Sequence, residues 1–238
     1  MTDAVLRFGL PSKGRLQTQM SDFFAAHGVG FICSKDDRAY AGRLRGIPDV
    51  EIVFFSAGEM PHKLVSGDVH LAVTGEDLLR ERAGIGPDLA LNGVERVKPL
   101  GFGHARLIVA APKCWIDVET TEDLDDIAAD FRDRYGHPLR IATKYPRLAR
   151  WFFRKQSVVN YRLIESQGAT EGLVSARSAE AIIDITSSGD TLRANHLKVL
   201  VDGVILRSEA QLAKSLNAHW SPAARAAFGN LMQMLALD

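Results

Sequence analysis

Cysteine is nearly absent from this 238-residue chain. There are only Cys33 and Cys114, far apart, with no CxxC pair and no Cys/His cluster. That argues against a disulfide framework and a structural zinc site, and fits two free thiols in a reducing compartment. The seven histidines include no HxH or HExxH spacing that would suggest a metal centre. Charge of one sign is missing as well: 29 Lys plus Arg balance 29 Asp plus Glu. A nucleic-acid binder would carry a basic footprint, and a charged disordered tail would carry an excess of one sign. No apolar run approaches the roughly 20 residues of a membrane span. The opening residues MTDAVLRFGLPSKGR lack the basic-then-apolar pattern of a signal peptide. The expectation is a cytoplasmic protein with no membrane and no nucleic-acid partner.

What is present is an alternation of short apolar runs and helix-period segments. Val5–Leu10 reads as a strand, and Leu16, Met20, Phe23 and Phe24 form a helical stripe closed by Gly28. Glu51–Phe55 and Leu71–Val73 read as strands, each followed by a helix, near Met60–Ser66 and up to about Arg82. The rhythm restarts after Gly101-Phe102-Gly103. Strands are expected at Arg106–Ala111, Leu139–Thr143, Asn160–Ile164, Ala181–Ile185, Leu197–Ile205 and Glu209–Lys214. Helices are expected from a Thr120 or Thr121 cap to Asp130 and from Pro146 to Lys155. A last helix follows Ser221 and Pro222. The pattern predicts an α/β protein with mainly parallel sheets and helices on both faces. Two lobes follow: residues 1–100 with a returning C-terminal segment 215–238, and residues 101–214. A ligand cleft is expected between lobes of this size.

The segment Ala181 to Asn195, AIIDITSSGDTLRAN, carries the chemistry. An apolar strand ends in Asp184, and Thr186, Ser187, Ser188, Gly189, Asp190 and Thr191 follow. Small hydroxyl residues and a glycine let backbone amides converge, and a helix start adds partial positive charge, a combination that holds a phosphate. Open α/β sheets bind ligands beyond the carboxyl ends of their strands. A carboxylate at Asp184 accepts from adjacent ribose hydroxyls when the sugar's 5′-phosphate lies in the loop. GxxxxGK[ST] is absent, so this is no Walker A loop. It resembles the phosphoribosyl-diphosphate (PRPP) loop of phosphoribosyltransferases, with Ile183 where a second acid is common. Taken alone, the segment is also compatible with a Ser/Gly turn that binds nothing.

Four segments in order narrow the reading. Leu10-Pro11-Ser12-Lys13-Gly14-Arg15 resembles an LPKGR signature with one serine inserted. DVHLAVTGED (68–77) resembles ADLGITGxD, RIATKY (140–145) is a close match to another segment, and residues 182–195 resemble IVDIVSTGxTLxAN. All four are similar to the ATP phosphoribosyltransferase family over residues 10 to 195. The resemblance implies a fold like two-lobed periplasmic binding proteins of type II. It also implies the first step of histidine biosynthesis: N1 of ATP attacks C1 of PRPP and diphosphate leaves, with Mg²⁺ carried by the substrates and no protein metal site. The chain looks like the family's short form, which implies a homodimer inside a larger hetero-oligomer with a regulatory subunit resembling histidyl-tRNA synthetase.

The same resemblance implies residue roles. Asp184 and Ser187 through Thr191 (Ser188, Gly189 and Asp190 between them) would hold PRPP, with Glu171 added through the similarity of Gly168–Glu171 to a G-S-x-E segment. Lys13 and Arg15, after the first strand, would meet the leaving diphosphate or the ATP phosphates, where negative charge builds. Arg38 with Tyr40, Asp77, and Tyr145 with Lys144 are expected on the ATP side, Tyr145 as a surface for the base. Ser56 stands where many members have arginine; Arg43, Arg45 or Lys63 could supply the missing cation. No nucleophile–base pair stands out, and none is needed when the adenine N1 attacks. A non-catalytic small-molecule sensor and a transferase with another acceptor base stay open, although LPSKGR and RIATKY favour ATP.

Overall fold

The computed structural model describes residues 6–33, 41–45, 47–84, 90–166 and 168–236. Along the chain run β1 (Leu6–Pro11), α1 (Arg15–Ala26), β2 (Phe31–Cys33), β3 (Ala41–Leu44), β4 (Ile47–Phe55), α2 (Met60–Ser66), β5 (Leu71–Gly75), α3 (Glu76–Ala83) and β6 (Val94–Pro99). Then come β7 (Ala105–Pro112), α4 (Thr121–Tyr135), β8 (Leu139–Thr143), α5 (Pro146–Lys155), β9 (Tyr161–Glu165), α6 (Gly172–Ser175), β10 (Ala181–Thr186), α7 (Asp190–Ala194), β11 (Leu197–Ser208), β12 (Ala210–Ser215) and α8 (Pro222–Met234). They form two compact units, with crossings at Gly103/His104 and Ser208/Glu209.

The first unit is built on a sheet of order β2-β3-β4-β1-β5-β12-β6. Strands β4, β1 and β5 pair in parallel, while β3 and β12 run against their neighbours. Strand alternation sends side chains to both faces. On one face Leu71 and Val73 of β5 pack with Met20 and Phe24 of α1 and Leu231 of α8. On the other, Ala72 packs with Met60 and Leu64 of α2 and Leu79 of α3. Helix α2 comes so close to β1 that a Cβ at Gly9 would stand 2.6 Å from the Met60 sulfur. Ser221 caps α8 as its hydroxyl accepts from the Ala224 amide (3.1 Å), with Pro222 opening the helix.

The second unit is a sheet of order β11-β7-β10-β8-β9. Strands β10, β8 and β9 are parallel, and β7 runs against both β10 and β11. Strand β10 is therefore central, and its carboxyl end opens the DITSSGDT segment. Ile108, Ala110, Ala142 and Ile182 pack on one face with Leu192 of α7. A reciprocal capping box starts α4: the Thr120 hydroxyl accepts from the Asp123 amide (3.2 Å), and the Asp123 carboxylate accepts from the Thr120 amide (2.8 Å). Asp202 of β11 accepts from the Thr121 amide at 2.9 Å and ties that helix start to the sheet.

Three strands and helix α6 were not legible in the sequence, whereas the helix start expected at the end of the DITSSGDT segment is α7. Strands β2 and β6 are the sheet's two ends and β3 lies beside β2; edge strands bury less and so show weaker alternation, and Pro99 at the end of β6 is at home on an edge. Helices α6 and α7 span one turn each. The return to the first unit comes at Glu209, ahead of the expected 215, because β12 pairs between β5 and β6. An apolar strand pattern does not say which sheet the strand enters.

Candidate active site

In the second unit the site is built around Asp184, on central strand β10. Its residue is 8% exposed, and one carboxylate oxygen accepts from the next amide, Ile185, at 2.8 Å. Burial pushes the Asp184 carboxyl above the ordinary carboxylate range; the Ile185 amide, the Lys144 ammonium and a hydrogen bond from Thr170 act against that, while Glu171 adds to it. Thr170 is fully buried, and its hydroxyl lies 3.0 Å from the Ser166 hydroxyl. Lys144, Thr170, Glu171 and Asp184 thus converge from the ends of β8 and β10 and from the turn into α6.

The turn after β10 is self-bonded. The Thr186 hydroxyl accepts from the Gly189 amide (3.1 Å), and the Ser188 hydroxyl donates to Asp190 (2.6 Å). The Ser187 hydroxyl donates to the His104 carbonyl at 3.2 Å. Gly189 sits at φ +76, in the left-handed region that glycine enters without strain. Arg193 reaches back over this glycine, donating to the Ser188 carbonyl (3.1 Å) and pairing with the Asp190 carboxylate. The Ser188 hydroxyl, and after it Arg193, hold the Asp190 carboxyl below its usual range. Ser187, Ser188, Asp190 and Thr191 are exposed.

Two features of this turn differ from the expectation. Helix α7 has five residues, so its dipole is small, and the cation of the turn is the Arg193 side chain. The Asp190 carboxylate faces that arginine, so toward an anion the residue has its amide to offer.

In the first unit, Lys13, Gly14 and Arg15 leave the end of β1 and enter α1. Gly14 is the N-cap at φ +84, with no side-chain cap bond and no acidic residue in the first turn. Lys13 and Arg15 are exposed. The uncapped amides and two cations form a positive region at the start of a twelve-residue helix. Asp77 lies in the first turn of α3 and is buried. Its neighbour Glu76 holds two arginines, Arg80 Nε at 2.8 Å and Arg96 Nη1 at 2.6 Å.

Ser56 has a structural role of its own. Its amide and hydroxyl both donate to Glu59 (3.1 and 2.6 Å), and the Glu59 amide bonds back to it, shaping the turn into α2. The Ser56 hydroxyl and amide hold the Glu59 carboxyl below its ordinary range. Ser56-Ala57-Gly58-Glu59 is an S-x-x-E capping signal, readable in the sequence and missed there. Of the cations considered as replacements, Lys63 pairs with Asp68 at 2.9 Å. Arg45 is exposed in a turn. Arg38 and Tyr40 lie outside the described residues, as does the side chain of Arg43. Tyr145 is 4% exposed, and its amide donates to Thr143 (2.9 Å); its ring presents little open face to a base. Thr170 and Ser166 carried no sequence signal, because the carboxyl they adjoin is met only on folding; Arg193 stands three residues from Asp190, a pairing distance readable in the sequence.

The strand orders define an α/β protein of the periplasmic-binding-protein-like class. The alkanesulfonate-binding protein SsuA from Xanthomonas axonopodis pv. citri, bound to MOPS, superposes with a TM-score of 0.52 at 14% identity over 98% of this chain and 72% of its own. The ATP phosphoribosyl transferase (HisG:HisZ) complex from Thermotoga maritima superposes with a TM-score of 0.65 at 22% identity, covering 97% of this chain and 96% of that one. In sequence, the ATP phosphoribosyltransferase of Cereibacter sphaeroides is 52% identical over 92% of this chain and 91% of its own length. The family profile HisG: ATP phosphoribosyltransferase matches residues 56–236. The chain belongs to the ATP phosphoribosyltransferase family, transferases of histidine biosynthesis.

Proposed function

We propose that the chain joins ATP and PRPP into N1-(5-phosphoribosyl)-ATP with release of diphosphate, and that the DITSSGDT segment is its PRPP site. The observation that carries this reading is the buried Asp184 carboxylate, held by the Ile185 amide at the mouth of a hydroxyl-rich turn. Ionised, it accepts from the two ribose hydroxyls. The hydroxyls and amides from Ser187 to Thr191 receive the 5′-phosphate, with Arg193 balancing charge from behind. Glu171 sits close enough to Asp184 to disfavour its charge, and two such acids suit a site that a substrate's cation visits. Mg²⁺ is proposed to arrive on the substrate phosphates, where it would neutralise charge on the departing diphosphate.

Lys13 and Arg15 are assigned to the diphosphate or the ATP phosphates, on the strength of their exposure at an uncapped helix start. Asp77 and Arg38 stay assigned to the ATP side through the family resemblance, and the burial of Tyr145 favours a packing role. The adenine N1 is the nucleophile, so the protein's part is to orient two anionic substrates and stabilise a cationic ribosyl centre. A cytoplasmic location, a homodimer and a histidyl-tRNA-synthetase-like regulatory subunit complete the proposal. The structural relative's own HisG:HisZ assembly supports the last of these. No helix of the described residues is long and apolar enough to cross a membrane.

The test mixes purified chain with ATP, PRPP and Mg²⁺ and follows phosphoribosyl-ATP by absorbance, alone and with the regulatory subunit. Product that forms only when all three are present is the expected result. No product in either arrangement overturns the assignment.

A further inference from the structure

In a chain whose charges balance, residues 147–164 carry Arg147, Arg150, Arg154, Lys155 and Arg162 and not one acid. Folding gathers three of these charges in the second unit. Arg150 and Arg154 of α5 and Arg162 of β9 line a recess of about 550 Å³ together with Tyr161. Arg150 and Arg154 stand one helical turn apart, where like charges repel. All three arginines are exposed, and among the described residues none of them makes an ion pair. Arg150 donates only to the Pro146 carbonyl, at 3.4 Å.

Tyr161 adds a neutral donor. Its ring packs on Phe153, with 4.7 Å between ring centroids, and the residue is half-buried. Burial pushes its phenol above the ordinary range, while Arg150 and Arg154 are near enough to act against that. The hydroxyl keeps its proton at neutral pH. The recess also lies away from the PRPP turn. Strand β9 pairs in parallel with β8, Tyr161 beside Leu139 and Glu165 beside Thr143, and β8 pairs in parallel with β10. Tyr161 and Arg162 therefore stand at the amino ends of these strands, and Lys144 and Asp184 at the carboxyl ends. At about 3.3 Å per residue, the strands put roughly 13 Å between the two ends.

Arginine offers a planar fork of donors that matches phosphate oxygens. A monophosphate carries about two negative charges at neutral pH. A diphosphate group carries more, and so matches three guanidinium groups better. We propose that this recess is a second anion site that holds a diphosphate group, with Arg150, Arg154 and Arg162 on its oxygens and the Tyr161 hydroxyl donating to one of them. Free diphosphate and the polyphosphate tail of a nucleotide share this chemistry. The site stands apart from the PRPP assignment, which uses none of these residues.

Equilibrium dialysis of the full chain against radiolabelled diphosphate, without Mg²⁺, tests it, with far-UV circular dichroism confirming that each variant folds. R150Q/R154Q is expected to bind one diphosphate fewer per chain than the wild type. K13A/R15A, which strips only cations of the first unit, is expected to keep that site. In this second variant inorganic phosphate is expected to compete about tenfold more weakly than diphosphate, because it offers fewer charged oxygens. Competition by ATP there supports the site with a nucleotide's tail as occupant, and failure of ATP to compete supports it with the free ion. Should R150Q/R154Q misfold, R162Q on edge strand β9 and Y161F read the same recess through weakened uptake. Equal uptake by the wild type and the recess variants overturns the proposal, as does phosphate that competes as well as diphosphate.

Discussion

Thr170 has no exposed surface, and its hydroxyl lies 3.0 Å from the hydroxyl of Ser166 and close enough to Asp184 to favour the charged carboxylate. The acid assigned to the ribose thus adjoins a buried pair of hydroxyls. Burial chiefly sets how readily the carboxyl ionises, with the Ile185 amide, Lys144 and Thr170 acting against it.

Asp184→Asn separates function from stability. Burial raises the Asp184 carboxyl above its ordinary range, so the charged form costs stability at neutral pH, and protonation on acidification favours the fold. The amide variant is expected to melt at the same temperature or higher, while kcat/KM for PRPP falls roughly 10- to 100-fold, the worth of a charged hydrogen bond or more. Calorimetry and steady-state kinetics on one preparation check both. Unchanged PRPP kinetics would remove the ribose role.

The pH profile follows from the same acid. Ribose hydroxyls need the ionised carboxylate, so kcat/KM for PRPP is full above the raised value and declines as pH falls through it. Thr170→Val removes a bond that favours ionisation and is expected to move this acid limb to higher pH. Thr170→Ser should restore it. A limb that stays in place in the valine variant means that Thr170 serves packing alone.

Arg193→Ala leaves Asp190 without its guanidinium partner and makes the turn more negative by one charge. The KM for PRPP is expected to rise several-fold, with the difference from wild type shrinking as salt screens the charge. A salt-independent change would point to altered turn geometry, readable in parallel from Gly189→Ala, since Gly189 stands at φ +76 with Arg193 Nη1 3.3 Å from an added Cβ.

Ser56→Ala is expected to lower the melting temperature by a few degrees, because it strips the start of α2 of the hydroxyl that Glu59 accepts from. PRPP kinetics should stay near wild type. A large rise in KM with no loss of stability would instead put Ser56 on the substrate path.

Several of these residues differ in how far the sequence reveals them. The caps of α4 and α8 follow from local chemistry: Thr120 with Asp123, and Ser221 with Pro222, lie within a few residues of what they bind. Met60–Ser66 and Leu139–Thr143 coincide with their expected ranges for the same reason, since a buried stripe or run reports its own period. Ser56 is equally local, three residues from the Glu59 carboxylate it donates to.

Strand period, helix caps and the DITSSGDT order were determined by the sequence alone, because each depends on neighbours a few bonds away. Tertiary structure decided the rest. It placed β12 between β5 and β6. It brought Thr170 and Ser166 beside Asp184. It also set Asp125 of α4 against the Val159 amide, beside a recess lined by Arg150, Arg154 and Arg162. Charge and hydrogen bonding act through space, so a residue's partner there is known only once the sheet has put distant strand ends side by side.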